Sequence, residues 1–127
     1  MKAFLSSLTL LSALLLASPA MAGIFGLWRV QGKLSGVAFV LDCHFIPEDP
    51  GIGGTCTGAP NGDPKYAGKV YKLKQGAAEG NQVSWSYPSH FMFLDFQVVY
   101  KGTLGGGQMS GTVTAAGRKG DFTATRE

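Results

Sequence analysis

Beyond its first 22 residues this sequence has no stretch in which apolar side chains recur every three or four positions, the repeat an amphipathic helix needs to bury a face. A helical fold is excluded on that ground. Two histidines and two cysteines are all the soft metal ligands the chain offers, too few for the usual four-ligand zinc set. No G-x-S-x-G, no phosphate-binding G-x-x-x-x-G-K-[ST] and no H-E-x-x-H is present, so no motif supports catalysis and no cofactor is called for. The formal charge is +3, or +2 once Lys2 is set aside, and the lysines of KYAGKVYKLK stand among apolar and aromatic residues. Nucleic-acid binders carry a denser basic footprint; these lysines read as an exposed strand face, with no nucleic-acid partner.

What is present begins with an export signal. Lys2, the apolar run Phe4 to Leu16 and the triplet Ala20-Met21-Ala22 follow the pattern of a cleaved secretory signal peptide over residues 1–22. The run is 13 residues long, whereas a membrane span needs about 20. Gly23 rather than Cys follows the cut, which disfavours a lipid anchor, and no later run is long enough to span a membrane. Residues 23–127 then form one domain, secreted, with the bacterial periplasm as the expected compartment. In that oxidising setting Cys43 and Cys56 are expected to form one disulfide.

Glycine, with Asn, Asp and Pro, cuts this domain into short pieces that alternate apolar and polar side chains, the signature of strands. Eight are expected: 24–31, 36–46, 52–58, 68–75, 81–87, 90–101, 108–115 and 119–126. In VAFVLDCHF the residues Val37, Phe39, Leu41, Cys43 and Phe45 share one face, with Asp42 and His44 on the other. Val83, Trp85 and Tyr87 share a face in the same way, as do Met92, Leu94, Phe96, Val98 and Tyr100. With no helix to cover eight half-apolar strands, closure into an eight-stranded antiparallel up-and-down β-barrel hides both the apolar faces and the sheet edges. A β-sandwich is the alternative, but its crossovers need longer connections. In CHFIPEDPGIGGTC a turn at Asp49-Pro50 pairs Phe45 with Gly54 and Cys43 with Cys56, on the inner face.

Trp28, in GLWRV, falls in phase with Val30, and in DFTATR the residues Phe122, Ala124 and Arg126 share the inward face. An arginine there is explained if the first and last strands are neighbours and Arg126 lies across the Trp28 indole, plugging the end of the fold. Gly26-x-Trp28 near the start with Arg126 near the end resembles the signature of the calycin superfamily, which includes lipocalins, fatty-acid-binding proteins, avidins and small bacterial secreted protease inhibitors. The resemblance implies structural roles for Gly26, Trp28 and Arg126 and a lipocalin-like barrel. The length and the single disulfide look most like the inhibitor barrels, whose contact is made by an N-terminal segment, here only Gly23 to Phe25.

Two function classes follow. The first is a non-catalytic carrier or sensor, binding a small, largely apolar molecule at the barrel mouth through Trp85, Tyr87 and Met92. The second is a protein-interaction or inhibitor module that contacts another secreted protein through Phe91 and Phe93, because SHFMFL is apolar on both faces after an expected turn at Pro88. An enzyme would require Asp42, His44 and Asp95 to converge. The inward glycines Gly54 and Gly111 are expected to leave room beside a largely filled interior.

Overall fold

The computed structural model describes residues 23–127; the export signal expected over 1–22 lies outside the described residues. Nine strands form one antiparallel sheet: β1 (Gly26–Leu34), β2 (Val37–Glu48), β3 (Gly51–Gly58), β4 (Val70–Lys72), β5 (Gln75–Glu79), β6 (Gln82–Phe91), β7 (Leu94–Gly105), β8 (Gln108–Ala115) and β9 (Arg118–Arg126). Their order is β4-β3-β2-β1-β9-β8-β7-β6-β5, so β9 returns to lie against β1. The all-β expectation holds, but this is a nine-stranded sheet and not a closed eight-stranded barrel.

The difference lies in the segment expected as one strand over 68–75. Its first part, β4, pairs with β3, and its continuation, β5, pairs with β6. At the changeover the Leu73 N–H donates to the Gly54 carbonyl at 2.9 Å and the Lys74 N–H to the Ser86 carbonyl at 2.8 Å. One stretch of chain thus carries both ends of the curled sheet, with no ladder between β4 and β5. Alternation within a strand reports which face is buried but not which neighbour supplies the hydrogen bonds.

A second correction concerns Pro88. The expected turn there is absent: Pro88 sits inside β6 opposite Gln97, and the chain reverses at Met92-Phe93, beyond the last pair, Phe91↔Leu94. The ladder from β5 to β6 ends at Ser86, so Pro88 lies on an edge stretch where one side of the strand needs no donor.

The β2–β3 hairpin has the expected register, with Phe45 opposite Gly54 and Cys43 opposite Cys56. The two cysteines are disulfide-bonded, their Cα atoms are 4.0 Å apart, and both are fully buried on the inner face. Above them an aromatic cluster fills the interior. Trp85 stacks on Tyr100 at 4.8 Å between centroids, and Phe45 and Phe122 meet the Trp85 ring edge-on at 4.9 and 5.5 Å. Gly111 opens no space beside them: a Cβ there would collide with the Lys101 carbonyl, so the missing side chain lets β7 and β8 approach each other. Gly54 likewise has the His44 carbonyl where its Cβ would stand.

The end below the cluster is sealed by the start of the domain. Ile24 and Trp28 are fully buried, and the Trp28 indole N–H donates to the Ile24 carbonyl at 2.7 Å. Arg126, opposite Trp28 on β9, places its guanidinium carbon 4.6 Å from the Trp28 ring centroid. It donates to the Phe25 carbonyl at 2.8 Å and also to the Gly23 carbonyl.

Candidate functional site

With one end sealed and the middle filled, open space lies toward the other end, where β1 runs into β2, β6 into β7 and β8 into β9. An apolar cavity of about 250 Å³ lies there, partly open to the outside. Inward positions of successive strands build its walls: Phe39 and Leu41 from β2, Phe96 and Val98 from β7, Val113 and Ala115 from β8. Leu34 and Val37 stand at its rim, and Asp63 and Tyr66 reach it from the 59–69 connection.

Its polar lining is four tyrosines, Tyr66, Tyr71, Tyr87 and Tyr100, with Asp63 and Ser89. Tyr87 and Tyr100 are buried, and their hydroxyl oxygens are 2.7 Å apart. The pairing follows from the β6–β7 register, which sets Trp85 opposite Tyr100 and Tyr87 opposite Val98, so the two tyrosines meet on a diagonal of the inner face. Tyr71, from β4, stacks on Tyr87 at 4.8 Å between centroids. Burial pushes the Tyr87 phenol far up, opposed by its hydrogen bond with Tyr100. The Tyr100 phenol is raised well above its ordinary value by burial and then by Tyr87. Burial also raises Tyr71, with a push from Tyr66 and an opposing hydrogen bond from Ser89. These phenols therefore stay neutral donors at physiological pH.

Two facing hydroxyls carry two hydrogens, and one hydrogen bond between them uses one. The accepting hydroxyl keeps its own hydrogen. Both Tyr87 and Tyr100 line the cavity, so this donor is available to an acceptor group entering it.

Of the side chains expected to bind a ligand, only Tyr87 lines this cavity. Trp85 lies one layer deeper under Tyr100, and its indole nitrogen has no hydrogen-bond partner among the described residues. Met92, expected to point inward, instead begins the two-residue turn with φ of 57° and is exposed, because the chain reverses at the position alternation assigned to the interior. Leu94, also expected inward, is exposed beside it. Phe91 and Phe93 stand exposed on the same hairpin, outside the cavity lining. Sequence reasoning did not assign Phe39, Tyr71 and Tyr100 to the site. A turn placed at Met92-Phe93 would have brought Tyr100 next to Tyr87 by counting pairs along the hairpin.

Asp42, His44 and Asp95 do not converge. Asp42 is ion-paired with Arg29 at 2.9 Å, His44 is exposed further along β2, and Asp95 is on β7, separated from β2 by three strands. Among the described residues no three His, Cys, Asp or Glu side chains gather to hold a metal ion. The Gly23–Phe25 segment, which inhibition in the manner of the bacterial inhibitor barrels would use, is tied to Trp28 and Arg126. No described helix is long and apolar enough to cross a membrane. Comparison of the chain with known protein families, curated proteins and solved structures finds no match.

Proposed function

We propose that the protein is an exported, non-catalytic binding module of calycin-like type that holds one small, largely apolar molecule in the open end of its curled sheet. The observation that carries this reading is the buried Tyr87–Tyr100 hydroxyl pair, whose own hydrogen bond leaves one hydrogen unused, lining a largely apolar cavity. A purely packed core would not leave a buried donor facing open space. Size narrows the ligand. A cavity of about 150 Å³ suffices for benzene, and drug-sized ligands use about 300 Å³ or more, so 250 Å³ suits a one- or two-ring molecule bearing a carbonyl or hydroxyl acceptor. The aromatic cluster beneath leaves no depth for an extended acyl chain. Export and a periplasmic location are supported by the signal-like residues 1–22 and are compatible with the buried disulfide.

The test is a titration with 1-naphthol followed through Trp85 emission, since Trp85 is stacked on the cavity-lining Tyr100. Saturable quenching is expected, about tenfold weaker in Tyr87→Phe through loss of one hydrogen bond and absent in Val37→Trp, which blocks the rim. Native mass spectrometry of protein taken from the host periplasm should show a retained small molecule. No saturable quenching together with no retained mass would overturn the reading.

A further inference from the structure

We propose that the open end of the sheet docks on a lipid bilayer carrying anionic headgroups, with the β6–β7 hairpin tip entering the interface. The tip is four consecutive apolar residues, Phe91, Met92, Phe93 and Leu94, with Phe93 96% and Met92 77% exposed. Phe91 and Leu94 oppose each other and share a face, Met92 and Phe93 form the turn beyond them, and all four are exposed. A two-residue hairpin turn favours Asn-Gly, yet here Met92 holds a left-handed φ of 57°. Nothing in the turn's own geometry calls for methionine and phenylalanine there.

The tip has company. Of the eight large apolar residues exposed on the described surface, six are at this end: the four at the tip, Val37 at the start of β2 and Val70 at the start of β4. The tip leads at the cavity's open end, with Val37 lining that opening and Val70 on the outer face of β4 beside the cavity-lining Tyr71, so a surface approached tip-first meets apolar side chains first. A specific protein interface needs about 800 Å² on each partner and a continuous, packed centre; scattered apolar points around an opening do not provide one.

Charge is sorted along the same axis. Lys33, Lys65, Lys69, Arg118 and Lys119 are on or beside the turns at the open end, against Asp63, Asp95 and Asp121. The sealed end has Asp42, Glu48, Asp49, Glu79 and Glu127 against Arg126 and Arg29, the latter paired with Asp42 and 3.6 Å from Glu127. Apolar points within a cationic collar complement an acyl layer under anionic headgroups, and the acidic far end is held away from it. The cavity then faces the phase in which small apolar molecules accumulate.

The experiment is flotation with vesicles of phosphatidylcholine alone and with about one-third phosphatidylglycerol. Wild type is expected to float with the anionic vesicles, to be released by high salt and to remain unbound with phosphatidylcholine alone. The double variant Phe91→Ser/Phe93→Ser should bind at least tenfold more weakly. Because both side chains are exposed, its melting temperature should not change; if it does fall, Met92→Trp gives a separate reading, its emission shifting to the blue on addition of anionic vesicles. The surface does not depend on ligand capture, so Tyr87→Phe should float as wild type does, and a failure of either proposal is seen separately. Wild type left behind by anionic vesicles, equal flotation of the serine variant, or Met92→Trp emission unmoved by vesicles would overturn the proposal, and the first is also the outcome expected of a protein-docking hairpin.

Discussion

Arg126 spends its donors on the Phe25 and Gly23 carbonyls while its flat face covers Trp28, so a charged side chain is satisfied beside a fully buried ring. Arg126→Ala should destabilise the protein by about 1–3 kcal/mol, through the lost cation–π contact and the two uncovered carbonyls. Arg126→Lys should recover only part of this, because an ammonium cannot reach both carbonyls while lying flat on the indole. Urea unfolding of the three proteins checks both; a change within about 0.5 kcal/mol for the alanine would mark an ordinary surface position. The tyrosines make a prediction about pH. Tyr87 and Tyr100 hold their protons more tightly folded than unfolded, so their contribution is complete below the unfolded value of about 10 and is lost as pH rises beyond it. Melting temperature should hold steady up to about pH 9 and fall above pH 10, less steeply in Tyr87→Phe when followed by near-ultraviolet circular dichroism. Much at this scale was legible because alternation assigns faces: Phe39, Tyr87 and Tyr100 all read as inward. Met92 also read as inward but is exposed, because a turn breaks alternation, and neither methionine nor phenylalanine announces a turn.

The β2–β3 hairpin shows how far one covalent constraint carries a reading. With Cys43 and Cys56 facing each other, the register of the whole pair follows, and the disulfide lies in the core rather than on the rim. Closing this loop, whose ends are 13 positions apart, should contribute about 3 kcal/mol, mainly by restricting the unfolded chain. The double variant Cys43→Ser/Cys56→Ser should lose at least that amount. In the native protein thiol counting should find no reaction with a mild reductant until denaturant is added, because both sulfur-bearing residues are fully buried. Rapid reduction without denaturant would count against that protection. Across the sheet, Gly111 faces Gly102 on β7 and Phe122 on β9, with the Lys101 carbonyl in the place its Cβ would take. Gly111→Ala should therefore cost about 2 kcal/mol or more, measured by chemical unfolding, since backbone must move to admit one methyl group. This demand was invisible in the sequence, where a glycine within a strand reads equally as spare room. The same limit hid the division of β4 from β5: apolar pattern reports burial, but partner exchange is decided by backbone groups that every residue shares.

On the scale of the whole molecule, the neighbourhood of β1 and β9 reaches beyond the indole and the guanidinium. Gly32 of β1 pairs with Phe122 of β9, so two strands that share a ladder are 90 positions apart in the chain. During synthesis, β1 can pair with β2 at once but has no partner on its other side until β9 emerges. The hairpins β2–β3, β6–β7 and β8–β9 are local and can form early, while the seam that joins the two halves of the sheet must form late and pay the entropy of a long loop. Folding should accordingly be slow for a domain of this size, in the millisecond-to-second range typical of sheets dominated by distant contacts. Arg126→Ala should raise the unfolding rate far more than it lowers the folding rate, a split that stopped-flow measurement resolves. A chain obliged to wait for its final strand remains unfolded until that strand arrives, which suits the export proposed for it.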